Sequence, residues 1–390
     1  MLDVGKIALG VAAGVGAVVA MWLAVRRQRT TEHDLADRRA AQAHTEADAR
    51  ERRITDLYTK SADQLGSDKA AVRLAGLYAL ERLAQDNPSQ RQTIANVLCA
   101  YLRMPYTLPG SPPTGLVDED LQAKQGTYRE RVQEREVRLT AQRILQSHLR
   151  TGPVTEDPVV TFWSDLDMDL SDAVLIDFDL ARSRVRTASF RTAQFYGRTS
   201  FEETHFDGAA WFDEARFFDV TSFESAYFTD GWFERVLFHD RARFMRAKFS
   251  SIGSFEDSEF RRVVWFDRVH VGLFSLRRAV FHDRTSIENV TFGILAIDDA
   301  VFYSLVSFRH ADSSRFKNRP LPGPETPAWV RLDSAKPRPT PMPRPSTWPR
   351  GYTVSPTTDR PAGAIDGEWG LLQSARRALK YRPKQPGDQQ

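Results

Sequence analysis

From Leu170 to Phe308 the large apolar residues recur at steps of five or six, with polar residues between them. Neither regular element has that period. A helix turns about 100° per residue, so every fifth residue drifts around the cylinder. A strand alternates faces, so an odd step throws successive side chains to opposite sides. The centres are Leu170, Leu175, Leu180, Val185, Phe190, Phe195, Phe201, Phe206, Phe212, Phe217, Phe223, Phe228, Phe233, Phe238, Phe244, Phe249, Phe255, Phe260, Phe266, Val271, Leu276, Phe281, Ile287, Phe292, Ile297, Phe302 and Phe308. Of the 24 Phe in the chain, 19 stand at these positions, so the aromatic excess is one interior position repeated. Two residues before each centre the side chain is small, as at Ala188, Ala210, Ala226 and Ala247; the exceptions are Met168, Phe178, Phe274 and Leu295. Large and small side chains alternating in this way suit a narrow, close-packed interior.

The units AQFYG, ARFFD and AVFHD carry a large centre, Ala two before it and polar residues around them, and over residues 165–316 they resemble the pentapeptide-repeat proteins. The resemblance implies a mainly β solenoid, a right-handed quadrilateral β-helix in which each five-residue unit makes one side and four units make one coil. The step lengths test the count of four. Every fourth centre gives the column Leu175, Phe195, Phe217, Phe238, Phe260, Phe281 and Phe302, and from Phe195 onward the step out of this column is always six residues. An extra residue returning once per four units belongs to one corner, where a bulge absorbs it. The other six-residue steps, Phe206 to Phe212 and Phe249 to Phe255, share a second corner. Phe223, Phe228, Phe233 and Phe238 make one complete coil, and nearly seven coils give a rod about 33 Å long. Such a rod needs capped ends: the chain up to Arg150 with Thr161, Phe162 and Trp163 is placed at the front, the chain after Phe316 at the back.

FHDR occurs at 238 and again at 281, two coils apart, with Phe260, Arg261 and Arg262 between. Asp240, Arg262 and Asp283 are therefore expected to form a charge-complementary ladder on the outside. His239 and His282 then stand about 10 Å apart, too far to share a metal ion whose ligands approach to about 2 Å.

Upstream, Ile7 to Val25 is an uncharged run of nineteen residues followed by Arg26, Arg27 and Arg29. This predicts one transmembrane helix in contact with membrane lipid through residues 7–25, the N-terminus outside and the bulk of the chain cytoplasmic at the cell membrane. Gly10 and Gly14 form a small-xxx-small pair that would let two anchors pack as a homodimer. Residues 30–65 read as a solvated helical stalk, and helices are predicted over 69–86, 90–104 and 119–149. VRLTAQRIL (137–145) echoes VRLAGLYAL (72–80), which suits either HEAT-like units or a small bundle. The expected organisation is an anchor at 1–29, a helical region at 30–150, the repeat at 165–316 and a Pro-rich, largely disordered tail at 317–390 that includes KPRPTPMPRP and a short helix near 368–381. The stretch TKSADQLGSDKAAVRLAGLYALERLAQDNP followed by the repeat resembles bacterial membrane-anchored pentapeptide-repeat proteins.

Net charge is only +3, and the single cysteine, Cys99, excludes an intrachain disulfide framework and reads as packing within a helix. No phosphate loop, metal-ligand spacing or nucleophile motif is present, so neither an enzyme nor a cofactor is expected. The function these features imply is a membrane-anchored, non-enzymatic scaffold or protein-interaction module with a protein partner. The resemblance adds one alternative, a DNA-mimic protein that interacts with topoisomerases. Residues 165–316 hold 19 basic and 25 acidic side chains, but Arg interrupts the acids, and a mimic needs a continuous negative face. No nucleic acid is expected as partner.

Overall fold

The structure, a computed structural model, describes residues 21–22, 26, 39, 41–114, 119–152, 159–311, 328–331, 352–357 and 369–374. The chain divides into a unit up to Gln64 and a unit from Leu65 onward. In the first, residues 41–64 are helical (α1) and studded with Arg, Asp and Glu. No helix among the described residues is long and apolar enough to cross a membrane. The 7–25 segment expected to do so lies outside the described residues apart from Met21 and Trp22. The expected transmembrane anchor is therefore corrected, and with it the outside N-terminus, the cell-membrane location and the lipid contact: each described helix of more than one turn carries charged side chains, and none is long and apolar enough to cross.

The second unit opens with α2 (Ala70–Asp86), α3 (Arg91–Arg103) and α4 (Glu119–Leu149). On α2 the buried face is Gly76, Leu77, Leu80, Leu83 and Ala84, while Ala75 and Tyr78 are exposed. Leu77, Leu80 and Leu83 take the core because they remove more apolar area from water than the alanines beside them. Ile94, Leu98 and Leu102 of α3 and Val137, Ala141 and Leu145 of α4 are all buried, and the two helices pack against each other. Cys99 is buried here, and burial pushes its thiol up to about 12, which removes thiolate character. Arg138 is also buried, its guanidinium donating to the Leu102 and Met104 carbonyls at 2.9 and 2.7 Å and to Glu134 at 2.8 Å. It thereby satisfies carbonyls at the C-terminal end of α3.

From Asp167 to Ser307 the chain winds through parallel strands in three sheets that make four sides. The first side carries the column from Leu175 to Phe302 and is a sheet of its own. The second carries Phe201, Phe223, Phe244, Phe266, Ile287 and Phe308 next to the six-stranded sheet. The third (Phe206, Phe228, Phe249, Val271, Phe292) and fourth (Phe190, Phe212, Phe233, Phe255, Leu276, Ile297) share one sheet, because single strands such as His205–Trp211 and Lys248–Ser254 run through the corner between them. At that corner the register shifts, with Asp207 and Gly208 standing opposite Thr229 alone, and Ser250 and Ser251 opposite Thr229 in the next coil. These are the bulges that the six-residue steps at Phe206 and Phe249 require.

The turns explain the other corners. After each centre of the second and fourth sides, the second residue on has φ near +57°, as at Glu203, Glu214, Ser225, Arg235, Arg246 and Asp257. The turn closes by a hydrogen bond such as Ala215 N–H to Phe212 O at 2.9 Å, or Ala226 N–H to Phe223 O at 3.1 Å. This is the geometry of a type II turn made by residues other than glycine, at about 1 kcal/mol each. Leaving the first side, the five-residue step from Leu175 needs Asp177 at φ 46°, and the next step uses Gly197 at φ 73°. From Phe217 on the three-residue link turns the corner without a positive φ.

Inside, every described centre is buried. The four large residues at small positions each precede a centre that is not Phe: Met168 before Leu170, Phe178 before Leu180, Phe274 before Leu276, Leu295 before Ile297. Volume is conserved by trading one position against the other.

At the front, two glutamine side chains act as short strands. Gln142 donates to the Ile176 carbonyl at 2.8 Å and accepts from the Ile176 N–H at 3.1 Å. Gln92 does the same to Asp167, at 2.9 Å both ways. Arg150 bridges Ser183 antiparallel and pairs with Asp179 at 2.6 Å. Trp163 is buried and stacks on His148 at 4.1 Å. Open strand edges are thereby covered. At the back, Ala328–Arg331 pairs parallel with the last coil, Phe302 opposite Val330, and is followed by Trp369–Ser374 and Tyr352–Thr357 in antiparallel order. The expected short helix near 368 is thus a strand over Trp369–Ser374, because an unpaired sheet edge offers those residues backbone partners that an isolated helix lacks. KPRPTPMPRP and Trp348 lie outside the described residues.

Replacing Phe233 by Ala should cost about 3–5 kcal/mol in chemical denaturation, whereas Phe218→Ala, on the outside of the same rod, should cost less than about 1 kcal/mol. Gln142→Leu should cost about 1–3 kcal/mol by leaving the Ile176 N–H and C=O without partners.

Candidate docking surface

The residues on either side of each centre face outward, and the four sides differ in what they carry. Around the fourth side and its corner, arginines reach carboxylates one coil away: Arg191 to Asp213 at 3.1 Å, Arg235 to Glu214 at 2.9 Å, Arg277 to Asp298 at 3.0 Å and Arg278 to Asp257 at 2.6 Å. Arg184 to Asp207 at 2.7 Å extends the pattern to the third side, and Arg186 pairs with Asp167. The guanidinium of Arg186 holds the Asp167 carboxyl below its usual range, and Arg278 does the same to Asp257. These charges neutralise one another along the rod.

The first side is different. Its outer row after the centres runs Ile176, Tyr196, Phe218, His239, Arg261, His282, Tyr303, and its row before them includes Val174, Leu237, Val280 and Val301. Tyr196 stacks on Phe218 at 4.3 Å, Phe218 on His239 at 4.7 Å, and His282 on Tyr303 at 5.2 Å. Arg261 fills the gap, 3.2 Å from the His239 ring and 3.0 Å from Glu259, which also lies 3.1 Å from His282. Burial among these neighbours, aided by Arg261, lowers the His239 pKa. Trp369 meets Tyr303 edge-on at 5.5 Å, so the row reaches the C-terminal strands. The strand register lines these rings up one per coil, on a face outside the core.

Of the expected core residues, Phe195, Phe217, Phe238, Phe260, Phe281 and Phe302 lie buried on the first side, and Phe223, Phe228 and Phe233 lie buried on the second, third and fourth. Asp240, Arg262 and Asp283 follow that register, but no ion pair joins them among the described residues. Asp240 instead accepts from the Arg241 N–H and Asp283 from the Arg284 N–H, each at 2.7 Å. Among the described residues no group of three or more His, Cys, Asp or Glu could hold a metal ion. The outer aromatic row went unseen in the sequence although its signal is there: the residue after every fourth centre reads Tyr, Phe, His, Arg, His, Tyr.

Residues 201–247 match the family model of pentapeptide repeats in nine copies. The rod has the pentapeptide-repeat fold. No curated protein and no solved structure matches the chain. The interior of the rod is filled by buried, stacked rings, so its outward side chains are the groups that can meet a partner.

Arg186→Gln should lower the denaturation midpoint at neutral pH, with the deficit closing in acid. A depressed carboxylate stabilises the fold above its unfolded pKa and ceases to do so as pH falls through the folded value, so the curves should converge below pH 3.8, the ordinary value for Asp.

Proposed function

We propose that this protein is a non-enzymatic β-solenoid scaffold that docks a protein partner on the outer face of its first side. The observation that carries the reading is the half-buried aromatic and aliphatic row from Ile176 to Tyr303 on the first side, where the fourth side carries coil-to-coil ion pairs instead. Aromatic side chains give large contact area at low entropic cost and are the residues that dominate interfaces. A rigid row of them, preorganised by the strand ladder, loses little on binding. A topoisomerase-binding DNA mimic is disfavoured, since Arg235, Arg277 and Arg278 neutralise the acidic groups of the fourth side instead of leaving a continuous negative surface. Membrane attachment forms no part of this reading.

The test is quantitative capture from lysate of the source cells, with the full chain as bait beside the double variant Tyr196→Ser/Phe218→Ser. Proteins retained by the wild type and lost from the variant, at unchanged circular dichroism, support docking on this face. Equal retention by both baits would place binding elsewhere.

A further inference from the structure

A notch of about 340 Å³ opens at the corner between the first and second sides, lined by Arg198, Asp219, Val220, Ser222, Arg241 and Arg243. Its origin lies in the six-residue steps. The longer link adds backbone N–H groups outside the regular ladder, and such groups must find acceptors. The corner's carboxylates supply them: Asp177 accepts from the Arg198 N–H at 3.2 Å and Asp219 from the Gly197 N–H at 2.7 Å, as Asp240 and Asp283 do for Arg241 and Arg284. With the carboxylates turned to the backbone, the arginines lack the tight coil-to-coil partners found on the fourth side. Arg198 reaches Glu202 only at 3.8 Å, Arg241 reaches Asp240 at 3.5 Å, and Arg243 has no ion-pair partner among the described residues. Between them the middle coil presents only short side chains, which leaves the space. Three guanidiniums against Asp219 give the lining a surplus of positive charge on a repeat region whose total is negative.

We propose that this notch receives the acidic side chains of an extended partner segment whose apolar side chains lie on the aromatic row. The proposal rests on the docking reading above and adds the chemistry of the partner. Phe218 is followed directly by Asp219, and His239 by Asp240 and Arg241, so the aromatic row borders the notch along successive coils. A guanidinium presents a planar fork that matches a carboxylate in two parallel hydrogen bonds. An extended segment places every second side chain on one face. A segment with Phe and Glu alternating at every second position therefore offers both groups to this surface together.

The probe is a fluorescein-labelled peptide with Phe and Glu alternating at every second position and Ser between, titrated with the full chain in anisotropy measurements. Saturable binding that weakens with added salt, drops at least tenfold in Arg243→Glu and in Arg241→Glu, and is absent for the Phe/Lys counterpart supports the notch. The second variant keeps the test decisive if the first fails to fold. Unchanged affinity in both variants, or equal binding of the Lys peptide, overturns it. Displacement of the peptide by inorganic phosphate at equimolar level also overturns it, by making the notch a small-anion site. Phe218→Ser separates the two readings: loss in the arginine variants with full binding by Phe218→Ser keeps the notch and removes the aromatic row, and the reverse removes the notch.

Discussion

Everything in the rod depends on a match between two lengths. Strands in a sheet stand about 4.7–4.9 Å apart, and the Phe rings of successive coils stack at 4.4 Å (Phe195 on Phe217) to 5.0 Å (Phe206 on Phe228), nearly parallel. One spacing therefore serves both the backbone hydrogen bonds and the ring faces. Across the interior the rings meet edge-on, Phe212 against Phe223 at 88° and Phe223 against Phe233 at 89°, the arrangement that the ring quadrupoles favour. Four rings fill a coil, which is why Gly231 must lack a side chain: a Cβ there would stand 2.6 Å from the Phe249 ring.

A filled interior sends function to the outside, and the winding decides what the outside can be. Identical positions of successive coils lie one strand spacing apart, so any surface residue faces its counterparts above and below. Where these are Arg and Asp or Glu they neutralise one another, as along the fourth side. Where they are Tyr, Phe and His they stack into a row, interrupted once by Arg261 between His239 and His282. The same geometry makes the ends of the stack the weak points, and there Gln92 and Gln142 at the front and the strands Ala328–Arg331 and Trp369–Ser374 at the back cover the open edges.

The repeat was legible because its signal is periodic and redundant: step length alone separates the four sides and locates the corner bulges, before any coordinate. The caps were not. Gln142 sits in a helix of ordinary composition, and its role depends on meeting Ile176 in space. The C-terminal strands were hidden by proline-rich composition, which describes a neighbourhood and not the few residues that find an open edge. The N-terminal apolar run shows the limit from the other direction, because hydropathy argued for a crossing that no described helix makes. The aromatic row was readable in principle, but only after the column was known.

The most direct test of the account is hydrogen–deuterium exchange of the full chain with and without a captured partner. The account predicts slowed exchange in the first-side strands, around Gln194–Tyr196, Arg216–Phe217 and Leu237–Phe238, with the third and fourth sides unchanged. Protection confined to α2–α4, or to the third and fourth sides, would contradict it.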